Sequence, residues 1–174
     1  MLDFELSLFG SKASQTGVCS FLNFAGLWSG TSVGANMVAS YSIGHPDLDG
    51  DHDRMVAAWR ELEASRTLEA AKAAASRLMA EASGHFAREE QFMAQCGYPD
   101  LARHKALHME MAAALRHVLL LPLLGKGGHE DFVLAMRSLM IKWVMAHILG
   151  EDSKLAPYVR AQAGSTRRAA TGRR

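Results

Sequence analysis

Five of the eight histidines in this 174-residue chain fall where helices can gather them. His85 and Glu89 are four residues apart, as are His104 and His108. Four residues of α-helix end about 40° past a full turn, so each pair leaves one face, one turn apart. Helices deliver two donors to one small site in this way. His147 is followed five residues later by Asp152. On a regular helix that step is about 140° and would separate them. Gly150 lies between and can loosen the helix, letting Asp152 swing back. His52 stands near the start of the first helical stretch. Imidazole suits iron, copper, nickel and zinc, and a mixed oxygen and nitrogen set suits iron. Each pair alone has ordinary explanations, as a surface pair or a core histidine. The combination differs, because four helical stretches each supply a histidine and two of them add a carboxylate.

The elements that must position these donors are helices. Ala, Leu, Met, Glu and Arg crowd the stretch from Leu48 to Arg160, and Pro is scarce at 4, which favours helix over sheet. The first helix is expected from a cap at Asp49 or Asp51 to about Ala64, with Met55, Val56, Trp59 and Leu62 on its apolar face. Thr67 caps the second, which ends near Cys96 before Gly97, Tyr98 and Pro99. The third runs from Asp100 to about Leu120, and Gly125, Gly127 and Gly128 form the next loop. The fourth spans about Glu130 to Leu149 and stops at Gly150; a short fifth follows from Ser153. Short connections make neighbours antiparallel, so the fold class is all-α: an antiparallel up-down-up-down four-helix bundle with a short C-terminal helix.

The bundle occupies residues 41–163. Residues 1–40 read as a loosely ordered uncharged arm, since Ala13 to Pro46 contains no Asp, Glu, Lys or Arg and its apolar residues keep no period. Met37, just ahead of the helices, is an alternative start. Residues 164–174 carry Arg167, Arg168, Arg173 and Arg174 without an acid and read as a basic disordered tail.

Composition bounds the function. At 49% hydrophobic, 21% charged and net charge +1, the chain is one globular domain with no electrostatic call for nucleic acid. Cys19 and Cys96 form neither a CxxC pair nor a disulfide framework. No run approaches the roughly 20 apolar residues that span a bilayer, so no membrane span is expected. Asp3 and Glu5 are wrong for the basic start of a secretory signal, and Gly, Ser and Thr interrupt the apolar residues from Val18 to Trp28; the cytoplasm is expected.

In such a bundle, early on the first helix, late on the second, early on the third and late on the fourth share one level. Five imidazoles and two carboxylates then meet in one layer. Seven donors are too many for one ion that prefers six. If both carboxylates and an oxo or hydroxo group bridge two metals, three histidines complete one metal at six and two leave the other at five. The open position suits a small neutral ligand such as dioxygen.

The segments SYSIGHPDLDGDH, HFAREEQFM, GYPDLARHKALH and WVMAHILGED resemble the hemerythrin family in its bacterial form, over about residues 40 to 160. The resemblance implies two oxo- or hydroxo-bridged iron ions. It would place His104, His108 and His147 on the six-coordinate iron, and His52 and His85 on the five-coordinate iron where dioxygen binds. Glu89 and Asp152 would bridge, and Trp143 and Val144 would wall the open position. The implied function is reversible dioxygen binding for storage, delivery or supply, not catalysis. A sensing or signalling module is the alternative, and a di-iron oxidase or peroxidase comes third. Two departures stand out. Trp143-Val144 replaces the usual Trp-Leu, and Glu81 stands where an aromatic is common, either as an outer acceptor or as a solvated charge. His117, nine residues after His108, faces away. His45 and His129 are expected in solvent and Glu90 as a surface charge. Met93, Met109, Met111, Met136, Met140 and Met145 are expected as core filler.

Overall fold

The computed structural model describes residues 41–125, 127–141 and 146–171. The expected arm, and Trp143, Val144 and Met145, lie outside the described residues. Among the described residues there is no strand. Helix α1 spans Pro46–Ala64, α2 Leu68–Cys96, α3 Leu101–Leu120, α4 His129–Leu139, α5 Ala146–Gly150 and α6 Ala156–Thr171. Short 3-10 turns at Pro122–Leu124 and Asp152–Leu155 join them.

Local chemistry sets the ends. Thr67 accepts from the Ala70 N–H at 3.2 Å, and Gly97 closes α2 in the left-handed region at φ 69°, where a Cβ would be strained. Helix α1 starts earlier than its expected caps. Pro46 holds the first position, where its missing N–H costs nothing and its ring presets φ. Asp49 is not a cap. Its carboxylate accepts from the N–H groups of Ile43 at 2.8 Å and Gly44 at 3.1 Å and from Ser42 Oγ at 2.7 Å, pinning the preceding turn. The expected unbroken fourth helix gives way to a wider, π-type turn at Met140–Ile141. Such a turn holds one residue more than a regular one. Helix α6 continues to Thr171, past the point where the tail was expected to fray. Ala and Arg are strong helix formers, and the single Gly164 costs only about 1 kcal/mol.

One stripe on each helix carries both core and donors. On α1 it is Leu48, His52, Met55, Trp59 and Leu62; on α2 it is Ala71, Ala75, Leu78, Ala82, His85, Glu89 and Phe92. Helix α3 adds His104, His108, Met111 and Leu115, and α4 adds Phe132 and Met136. The donors are therefore buried by the same apolar pattern that packs the helices. Met109 departs from the expected filler role and is 70% exposed, because it sits on the face of α3 opposite that stripe. Helix α3 with its following turn, Leu101–Leu124, is long and apolar enough to cross a membrane by length and composition alone, with mean hydropathy 1.3. This departs from the sequence expectation. The stripe that α3 buries nevertheless includes two imidazoles.

A satellite cluster of Ile43, Leu48, Phe92, Met93, Tyr98, Leu155 and Val159 packs beside the donor layer. Leu155 is fully buried and lies in the same 3-10 turn as Asp152, so it fixes that turn to the core. Leu155→Ala is expected to cost about 2–5 kcal/mol and to loosen the hold on Asp152. Urea unfolding checks the first effect; a normal midpoint would show that the turn is held by other contacts.

Candidate metal centre

The end of the fourth helical stretch shows how the chain returns a carboxylate to the layer. The Glu151 N–H still bonds to the His147 carbonyl at 2.7 Å, and the backbone then tightens into the 3-10 turn. Glu151 pairs with Arg103 of α3 and with Lys154. Asp152 comes back to 3.1 Å from His147. Gly150 closes α5 without adopting a left-handed conformation.

The structure brings His52, His85, Glu89, His104, His108, His147 and Asp152 together, each at most 5% exposed. Asp152 divides its two oxygens. Oδ1 lies 3.1 Å from His147 Nε2 and 3.4 Å from His104 Nε2. Oδ2 lies 3.4 Å from His52 Nε2 and 3.7 Å from His85 Nε2. Glu89 Oε2 lies 3.1 Å from both His104 Nε2 and His108 Nε2 and 3.6 Å from His85 Nε2. The donors fall into two groups, each able to surround an ion. Glu89, His104, His108, His147 and Asp152 form one; His52, His85 and Asp152 form the other.

These groups fit a cation better than they fit each other. The Nε2 atoms of His52, His85, His108 and His147, both Asp152 oxygens and Glu89 Oε1 are buried without a hydrogen-bond partner. Burying one such atom unpaired costs about 1–3 kcal/mol, and seven in one layer call for a shared ligand. The protonation pattern shows the same tension. Burial disfavours charge on His104, but Asp152 and Glu89 outweigh it and push the imidazole up to about 9. For His147 burial prevails, and His104 and His108 add to it against the pull of Asp152, so the ring falls to about 4. Burial would raise the Asp152 carboxyl, yet the imidazoles of His104, His52 and His85 hold it well below the usual carboxylate range.

A family model described as Hemerythrin HHE cation binding domain matches residues 44–159. The chain belongs to the hemerythrin family. It is similar to a bacteriohemerythrin of Stenotrophomonas maltophilia (strain R551-3), with 30% identity over 124 residues covering 69% of this chain and 78% of that relative. A hemerythrin domain implies binding of a metal cation, and the His, Glu and Asp cluster supplies donors for one.

Other side chains complete the picture of this hemerythrin donor layer and of the remaining histidines. Glu90 is no free surface charge. Its Oε1 lies 3.0 Å from His108 Nδ1, and Lys105 Nζ lies 3.0 Å from its Oε2. Asp51, read as a cap, is fully buried. It accepts from Arg88 Nε at 2.8 Å and Nη2 at 2.7 Å, pairs with Arg54, and sits 3.6 Å from His85 Nδ1. Those guanidiniums and His85 hold its carboxyl below the ordinary value, although burial opposes them. Phe86 stacks on His108 with centroids 4.0 Å apart and planes 14° from parallel. Glu81 accepts from Arg54 Nε at 3.0 Å, and Arg54 also pairs with Asp51. His45 packs edge-on against Phe92 at 5.0 Å, and Ser65 Oγ lies 3.0 Å from His129 Nε2, so neither histidine stands free in solvent. His117 is exposed.

Proposed function

We propose that this hemerythrin-family chain holds two iron ions, joined by an oxo or hydroxo bridge, and binds dioxygen reversibly at them. The scaffold we assign is an antiparallel up-down-up-down four-helix bundle over residues 41–163. The observation that carries the reading is the division of Asp152, whose Oδ1 faces His104 and His147 while Oδ2 faces His52 and His85. A carboxylate that serves two donor groups at once would hold two ions together. Glu89 approaches His104, His108 and His85 through one oxygen, Oε2, and its Oε1 is buried without a partner. We assign His104, His108 and His147 to one ion and His52 and His85 to the other, which keeps an open position. The separation of three imidazoles from two supports this division.

Iron held there would supply the electrons that reversible dioxygen binding requires. The chain's own residues do the rest. Glu89 and Asp152 fix the spacing of the two groups. Burial of all seven donors keeps bulk water from the layer, and the cluster of Ile43, Leu48, Phe92, Met93, Tyr98, Leu155 and Val159 adds apolar packing beside it. The protein is read as a binder for oxygen storage, delivery or supply rather than an enzyme. Carboxylate-rich di-iron bundles use four acids and two histidines, whereas this site offers five imidazoles and two acids.

The purified protein is expected to contain about two irons per chain. Its visible absorption should bleach when oxygen is removed and return when oxygen is readmitted. One zinc and no iron, after expression with iron available, would refute the reading. Steady consumption of peroxide would replace the binder with an enzyme.

A further inference from the structure

We propose that Glu90 is a positioning residue for His108, a role that rests on the metal-binding reading of the site. Consecutive acids on α2 bracket one imidazole of α3. Glu89 Oε2 lies 3.1 Å from His108 Nε2, and Glu90 Oε1 lies 3.0 Å from Nδ1. An ionised carboxylate only accepts, so Glu90 keeps the ring proton on Nδ1. The lone pair is then left on Nε2, which faces the donor layer.

Two contacts hold this arrangement in place. Lys105, three residues before His108 on α3, takes the other oxygen of Glu90 at 3.0 Å, so Oε1 stays directed at the ring. Phe86 lies flat against the imidazole and fixes its plane. The ring is therefore restrained in tautomer, direction and tilt by three side chains that are not donors.

Three other buried imidazoles, those of His52, His85 and His104, lack such an acceptor. The Nδ1 atoms of His52 and His104 are buried without a partner. Asp51 comes only to 3.6 Å from His85 Nδ1, beyond hydrogen-bond reach, and its oxygens are taken by Arg88. An acceptor on the far nitrogen makes an imidazole a stronger and better-aimed ligand, and its loss typically costs about 10–100-fold in metal affinity.

The bland reading of Glu90 is a half-buried ion pair that only steadies two helices. Glu63 provides the matched control. Its side chain is 20% exposed against 22% for Glu90, and it pairs with Arg137 at 3.1 Å. The experiment is the rate of metal release from the protein as isolated to an excess of a strong chelator. Glu90→Ala is expected to release about 10–100-fold faster than wild type, and Glu63→Ala to match wild type. Glu90→Gln keeps an oxygen for the N–H and should fall between. Equal release from Glu90→Ala and Glu63→Ala overturns the role. If Glu90→Ala does not fold, Glu90→Gln against Glu63→Gln reads the same difference. The measurement needs only a bound metal. Should the protein hold zinc alone, the dioxygen reading falls while the release rates still decide on Glu90; a protein that takes up no metal removes both.

Discussion

Asp152→Ala is expected to abolish most metal binding and to lower the melting temperature of the iron-loaded protein by about 10 °C or more. The carboxylate touches both donor groups, with His104 and His147 on one oxygen and His52 and His85 on the other. One substitution therefore removes a donor from each. A ligand present at about a thousand times its Kd stabilises the folded state by roughly 4 kcal/mol. Each kcal/mol moves the midpoint of a domain of this size by about 2–8 °C, which sets the expected drop. The metal-free proteins should differ less, because without the ions the alanine removes only the carboxylate's approaches to the imidazoles of His147, His104, His52 and His85. Metal analysis and thermal unfolding, with and without chelator, check this. An equal gap in both conditions would make Asp152 an ion-pair partner of the imidazoles and not a ligand. His117→Ala, on the exposed side of α3, should change neither quantity.

His52, His85, Glu89, His104 and His108 were legible because each lies on the apolar stripe of its own helix, whereas Asp152 lies in the 3-10 turn beyond Gly150 and follows from the break in the helix there. That stripe is a property of one helix, and spacing along a sequence reports it. Thr67 and Gly97 were legible for a similar reason, since their side chains, or lack of one, act on the adjacent backbone. Glu90 and Asp51 were not. On its own helix Glu90 points about 100° away from Glu89, which reads as outward. Only the seat of α3 against α2 turns that direction into a contact with His108. Asp51 was read as a cap because an acid early in a helix commonly is one. Its partners, Arg88 and His85, lie on α2, and no spacing within α1 points to them. The start of α1 was misplaced for a related reason, because Asp49 caps the turn behind it and not the helix ahead. The π-type turn at Met140–Ile141 follows ordinary helix formers and carries no residue that announces it.

His52→Leu is expected to cut the iron from about two per chain to about one and to abolish the oxygen-dependent change in absorption. The reason is the inequality of the two groups. His52 belongs to the set with His85 and Asp152, whereas Glu89, His104, His108, His147 and Asp152 form a set that this substitution leaves whole. Leucine is chosen because it fills most of the imidazole's space. The ring is fully buried with neither nitrogen hydrogen-bonded, so an apolar side chain removes an unpaired polar group while leaving little cavity. The stability effect should therefore reverse sign with loading. Metal-free His52→Leu should melt at or above metal-free wild type, and the loaded variant should melt below loaded wild type, having lost one of two ions that bind only the folded chain. Iron analysis and paired melting curves read both parts. Loss of both irons on this single change would mean that the seven donors act as one indivisible set. The division of Asp152 between two ions, and with it an open position on the His52 side, would then have to be given up.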